Sequence, residues 1–269
     1  MNSIFRILVT SVLLLGVFAG CTGQTEPPPV IALFAPFEGR YQEFGYDALY
    51  AARLALADQD SVIDLVAYDD GGNVEYAVER AQAIASDPAT AIVLVTGPFA
   101  TQEQVQLALS PLPIVVIGGW STQPYRDDVF ILSNAQIAGQ LDTNSTENVE
   151  AIADTLDEPF IGDERLSSAL IAYSADEDIE LVTSAKLPSD DFVKRYINSA
   201  EFAPEPGLLA TLAYDATGLA IEAIMGRNDL NEIVFDGLNG TIQFENGYWA
   251  QAPIYSYSYE NGRLAQKTD

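Results

Sequence analysis

The chain has no histidine among its 269 residues. Imidazole is the commonest general base near neutral pH and the commonest metal ligand, so a Ser-His-Asp triad and a His-bearing zinc site are both excluded. A single cysteine, Cys21, rules out an intrachain disulfide. Basic residues are scarce: 12 Lys and Arg stand against 39 Asp and Glu, a net charge of −27. Such a surface repels phosphate backbones and anionic headgroups, which argues against nucleic-acid binding and direct docking on anionic lipid. The acidic excess reads first as solubility, and second as steering of cationic or zwitterionic ligands. Neither a P-loop nor a G-x-G-x-x-G after a strand is present.

What the chain does have is apolar content, 48% of residues, enough for one large domain or two small lobes. The N-terminus pairs Arg6 with a short apolar run over 7–18, too short to span a bilayer comfortably, which takes about 20 residues. Phe18-Ala19-Gly20-Cys21 follows. The segment TGQTEPPP over 22–29 reads as an extended, Pro-rich tether.

Beyond the tether the pattern is regular. Apolar runs at 30–35, 63–68, 91–96 and 114–117 read as strands. Helical stripes at 45–58, 73–86 and 102–109 separate them. Strands this uniformly apolar are buried on both faces, which predicts an α/β fold with a doubly wound parallel sheet. Farther on, 129–132, 160–162 and 179–185 read as strands. The stretches 147–156, 190–200 and 208–225 read as helices, the last ending at Gly226. The tail, 240–262, alternates and carries two Asn-Gly turns, a hairpin signature.

In open parallel sheets, ligands bind beyond the carboxyl ends of the strands. That rule selects loops 36–45, 69–73, 97–101 and 118–124, whose small, hydroxylic and aromatic residues suit a small polar ligand. Asp69-Asp70 has the look of a catalytic carboxylate pair. Its place at a helix start, with Asn73, makes helix capping the better reading. The acidic runs at 127–128 and 176–180 read as solvated loops. An enzyme using paired carboxylates, such as a glycosidase, finds no support in the spacing.

The order of motifs resembles one family. IALFAPFEGRYQEFGYDALYAARLAL (31–56), LVAYDDGGNVEYAVERAQAI (65–84), LVTGPFATQEQ (94–104) and LPIVVIGGWSTQP (112–124) are similar to the first lobe of the leucine/isoleucine/valine-binding type I periplasmic receptors. FVKRYINSAEFAPEPGLLATLAYDATGLAIEAI (192–224) and GLNGTIQFENGYWAQAPIYSYSYENGRL (237–264) resemble the family's late helices and closing hairpin. Phe18-Ala19-Gly20-Cys21 resembles a bacterial lipobox with phenylalanine in place of the usual leucine.

The resemblance implies a signal peptide over 1–20, cleavage before an acylated Cys21, and a tether over 21–29. It implies a first lobe over 30–125, completed by about 201–247. A second lobe over 126–200, with about 248–269, is expected to be reduced, because only some thirty residues separate Val129 from Phe160. Carried over residue by residue, Phe44 covers the apolar part of a ligand. Thr101, Trp120, Ser121 and Thr122 meet its carboxylate, and Glu164 pairs its ammonium. Beside these stand plainer readings: Phe44 and Trp120 as packing, Thr101 as a helix N-cap, Thr122 as a turn hydroxyl and Glu164 as a surface glutamate. The implied function is a non-enzymatic ABC-importer lipoprotein without cofactor or metal. It binds a small zwitterion, such as an aliphatic amino acid, and serves a membrane permease. An interaction or sensor lipoprotein on the same scaffold is the alternative.

Overall fold

The structure, a computed structural model, describes residues 27–121, 123–137, 160–167, 179–260 and 263–267. Cys21, Thr122 and the helix expected at 147–156 lie outside them.

The first lobe is a seven-stranded sheet in the order β10-β11-β5-β4-β3-β1-β2. Strands β1 (Val30–Ala35), β2 (Asp64–Asp69), β3 (Thr90–Val95), β4 (Ile114–Ile117) and β5 (Val129–Leu132) run parallel. Every residue of β1, β4 and β5 is buried, which is why these runs do not alternate with polar residues. Each strand splits its side chains between two cores. Ile31, Leu33, Val115 and Ile117 join one cluster with helices α1 (Gln42–Asp58) and α5 (Leu208–Gly226). Ala32, Phe34, Ile114 and Val116 join the other with α2 (Val74–Ala85) and α3 (Glu103–Ala108). The short hairpin β10 (Phe244–Glu245) and β11 (Tyr248–Trp249) closes one edge through Asn246 and Gly247, both at positive φ as the Asn-Gly signal requires.

Two local features depart from the sequence reading. α1 begins at Gln42, three residues before the expected start, so Phe44 lies on its first turn and not in the preceding loop. Gly45 permits this: a Cβ there would stand 1.9 Å from the Pro36 carbonyl oxygen. β5 joins the first-lobe sheet, although its residues fall past the boundary expected at 126, because its uniformly apolar side chains need cover on both faces.

The second sheet has four strands among the described residues, in the order β13-β12-β7-β6. β6 (Phe160–Gly162) and β7 (Ile179–Thr183) are parallel; β12 (Tyr255–Glu260) and β13 (Arg263–Gln266) are antiparallel. A further short pair, β8 (Phe235–Asp236) and β9 (Thr241–Ile242), stands apart. Leu181, Tyr257 and Tyr259 of the second sheet, with Phe192 and Tyr196 of α4 (Asp190–Asn198), belong to the same core cluster as α1 and α5. α5 is long and apolar enough to cross a membrane, yet 78% of its apolar window is buried inside the protein, so it serves as the central core helix.

Candidate functional site

The strand order 2-1-3-4-5 places a topological switch between β1 and β3, where consecutive loops leave the sheet in opposite directions. The loops after β1, β3 and β4 open at that end. Hydrogen bonds of the Thr101 and Gln106 side chains lace them together. Thr101 Oγ1 donates to Gly97 O at 2.8 Å and lies 3.3 Å from Trp120 O. Gln106 Nε2 donates to Thr101 O at 2.9 Å and to Ser121 Oγ at 3.2 Å. Tyr125 N donates to Gln106 Oε1 at 3.2 Å. Thr101 is therefore a buried brace between two loops. It is not the N-cap of α3, which is Gln102.

The side facing the second lobe is aromatic. The Trp120 ring packs edge-on against Phe44 at 5.2 Å and Tyr41 at 5.6 Å. Its Nε1–H is buried and has no acceptor among the described residues. A buried indole N–H without a partner costs free energy, so this ring is held by shape against its neighbours.

Glu164 reaches across from the second lobe and is 1% exposed, not a surface glutamate. Its Oε1 accepts from Gly119 N at 2.5 Å and its Oε2 from Thr183 Oγ1 at 2.6 Å. The approach needs glycine on the opposite loop: a Cβ at Gly118 would sit 2.5 Å from Glu164 Oε1, and one at Gly119 2.6 Å from Asp163 Oδ2. Asp163 is bound by Arg165 through Nε at 2.7 Å and Nη2 at 2.6 Å, and the Arg165 guanidinium lies 5.9 Å from the Trp120 ring centre. Burial, then the neighbouring charge of Asp163, pushes the Glu164 carboxyl above its usual range. An ammonium placed beside it would pull it back down.

Of the expected site residues, Phe44, Thr101, Trp120, Ser121 and Glu164 converge on this one place, while Thr122 lies outside the described residues. Sequence reading missed Tyr41, Gln106, Asp163, Arg165 and Thr183, which complete the cluster. The run Asp163-Glu164-Arg165 was a visible signal for two of them; a lone threonine in an apolar strand gave none. Asp69 and Asp70 are spent on the backbone: Asp69 accepts from Phe37 N at 2.7 Å and Gly71 N at 2.9 Å, and Asp70 from Gly72 N at 3.0 Å. The cap of α2 is Asn73 alone, accepting from Tyr76 N at 2.9 Å.

No protein-family model matches the chain, and no curated protein matches it. Solved structures do. The substrate-binding protein LivJ of a branched-chain amino acid transporter from Streptococcus pneumoniae, in complex with isoleucine, aligns at TM-score 0.70 and 14% identity. The alignment covers 89% of this chain and 99% of that one. The fold is that of the type I periplasmic binding proteins. The leucine-binding protein LivK from Thermotoga maritima aligns at TM-score 0.68 and 15% identity, covering 89% and 98% of the two chains. An extracellular ligand-binding receptor from Desulfohalobium retbaense aligns at TM-score 0.71 and 16% identity, and this chain spans 59% of its length. At 269 residues the chain is shorter than typical proteins with the type I periplasmic binding fold.

Proposed function

We propose that the protein is a non-enzymatic solute-binding lipoprotein of an ABC importer. It is tethered outside the cytoplasmic membrane through an acylated Cys21 and hands a small zwitterion to a permease. The observation that carries this reading is the convergence at the sheet's switch point. A buried carboxylate from the second lobe meets the Gly119 N–H of the first, beside loops that carry the Thr101 and Ser121 hydroxyls and the Phe44–Trp120 ring pair. That set has a partner for each part of an aliphatic amino acid. Glu164 takes the ammonium, the loop from Trp120 through Thr122 with Thr101 takes the carboxylate, and Phe44 takes the apolar side chain.

The test is a thermal-shift and calorimetry screen of amino acids on the purified chain. A ligand present at 100 times its Kd raises stability by about 2.7 kcal/mol. No stabilisation by any amino acid would overturn the reading. Anchoring is tested separately: Cys21→Ser should release the protein from the membrane fraction or leave the leader uncut.

One observation favours a second reading, an interaction or sensor lipoprotein on the same scaffold. Glu164, Thr101 and Ser121 already satisfy one another's loops, and the Trp120 ring occupies the space between Phe44 and Tyr41. A protein that binds no amino acid but is captured intact with a membrane partner would establish it.

A further inference from the structure

The seven-stranded sheet ends on one side at β2, and that edge is open. Backbone groups alternate in direction along a strand. Asp64 N donates to Pro29 O and Asp70 N to Ala35 O, so Asp64, Val66 and Tyr68 turn their backbone groups toward β1. The N–H and C=O groups of Leu65 and Ala67 therefore point outward, where no strand pairs with them among the described residues. Such an edge is a template for another strand, and proteins blunt it with short strands, bulges, proline or basic side chains. The other described edges show these devices. β10 is two residues long, β6 is three, and β13 carries Arg263 with Lys267 just beyond it. β2 shows none of them. It runs six residues, DLVAYD, in unbroken register with β1, and its two charges stand at its ends.

We propose that β2 is the interface of a homodimer, in which it pairs antiparallel with β2 of a second copy and joins two seven-stranded sheets into one. A strand paired antiparallel with its own copy makes an isologous contact, which closes at two subunits and leaves no further edge on that side. The side chains suit this. Leu65 packs toward the core of α1 and α5, and Tyr68 toward that of α2 and α3, so both faces of the strand are anchored. Between them Val66 is 36% exposed, and just before the strand Val62 is 70% exposed. Each is a β-branched apolar side chain standing in water on an otherwise acidic protein.

Charge and hydrogen bonding select the register, because outward-pointing residues must meet outward-pointing residues. Centring the two-fold axis on Ala67 sets Asp64 opposite Asp70 of the second copy, and like charges directly opposite are destabilising. Centring it on Leu65 sets Ala67 opposite Ile63, whose N–H is already held by Ser61 Oγ at 3.2 Å, so a ladder bond is lost. Centring it on Val66 sets Val66 against its own copy and Asp64 against Tyr68, and lets Leu65 and Ala67 exchange backbone bonds on both sides of the axis. No acid then faces an acid. The remaining opposition is long-range: each chain carries a net charge of −27. Salt screens that repulsion over a Debye length of about 8 Å at 0.15 M, so this dimer should tighten as salt rises, the reverse of an ion-paired interface.

The experiment has two arms. In the first, Val66→Cys is oxidised mildly in membranes and read on a non-reducing gel, with the parent chain as control for Cys21. A non-hydrogen-bonded antiparallel pair holds its Cα atoms about 4.5 Å apart, within the reach of a disulfide, so a crosslinked dimer should form. Val62→Cys is more exposed, yet this register leaves it eight residues out of step with its copy, roughly 27 Å away, and it should crosslink far less. In the second arm, sedimentation equilibrium of the purified chain should give a dimer with a Kd of about 100 μM or tighter. That Kd should fall between about 50 and about 500 mM salt. Val66→Lys sets two cations against each other and Ala67→Pro removes only an outward N–H; each should raise the Kd at least about tenfold with the melting temperature close to the parent's. Val66→Thr, which keeps the β-branch, should still dimerise. A monomer at every salt concentration, or equal crosslinking at 62 and 66, would overturn the proposal. So would a dimer untouched by Val66→Lys and Ala67→Pro, which places the contact elsewhere. Crosslinking of Val66→Cys to a different membrane protein alone would give the edge to that protein and refute the homodimer.

Discussion

Glu164 bonds across the two lobes and, in the proposed reading, also recognises a ligand ammonium. Its two hydrogen bonds, to Gly119 N and Thr183 Oγ1, separate these roles. Glutamine can keep both bonds, with its oxygen on Gly119 and its amide on the threonine hydroxyl. Glu164→Gln should therefore fold with little loss of stability yet bind a zwitterion tens-fold or more weakly, since truncating one member of a buried charge pair costs about 2–5 kcal/mol. Glu164→Ala leaves two buried donors without acceptors and should lose about 1–3 kcal/mol for each, read by chemical denaturation. Because burial holds the Glu164 carboxyl high, zwitterion affinity should strengthen as pH rises and that carboxyl ionises, and binding should release protons. Asp47 gives a stability signal of its own. Burial raises it from its ordinary 3.8 to about 7. A carboxyl with a raised folded value binds its proton more tightly in the fold. Its stabilising effect is complete below about pH 4 and is lost as pH climbs through about 7. Melting temperature should therefore fall between pH 5 and pH 8, and in Asp47→Asn it should vary less over that window.

At the scale of elements, α5 organises both lobes. Asp215, in its middle turns, accepts from Leu238 N at 2.7 Å, Asn239 N at 2.9 Å and Asn239 Nδ2 at 2.7 Å. Asn239 Oδ1 in turn accepts from Lys186 N at 2.7 Å and from Thr211 Oγ1 at 3.1 Å. A single buried network thus joins the helix, the crossing at 237–239 and the end of β7. Asp215→Ala strands three donors and should cost several kcal/mol, at least about 3, in equilibrium unfolding. Asn73→Ala removes only the cap of α2 and should cost about 1 kcal/mol. The contrast checks which polar groups sit in the core and which close a helix end. The strands were readable to within a residue or two because apolar runs are a local signal. The start of α1 was not, because it depends on Gly45 fitting beneath the Pro36 carbonyl, a contact nine residues apart.

For the molecule as a whole, the decisive feature is that the second sheet packs into the same core as α1 and α5. Leu181, Phe192, Tyr196 and Tyr257 share one continuous cluster with Leu49, Leu212 and Ala216. Two lobes with separate cores can rock about a hinge; lobes that share a core must break apolar contacts to open. The protein should therefore melt in one calorimetric transition, and saturating ligand should leave the radius of gyration in solution unchanged. Two resolved transitions, or contraction on binding, would show independent lobes and a working hinge.

The sequence by itself determined the class of fold, the acidic surface without histidine chemistry, and the identity of the loops at the strand ends. Each of these is written in composition or in a short-range period of two or 3.6 residues. It also marked Phe44, Thr101, Trp120, Ser121 and Glu164, through motif order. Only the tertiary structure decided what those side chains do to one another. Thr101 is turned inward as a brace, Trp120 is wedged between two rings, and Glu164 is buried against a glycine loop 45 residues away. Likewise Asp47 reads as one acid on a largely apolar helix until Gly207, 160 residues on, donates its N–H to it. Burial and partner choice are properties of atoms brought together from distant parts of the chain, and no local pattern encodes them.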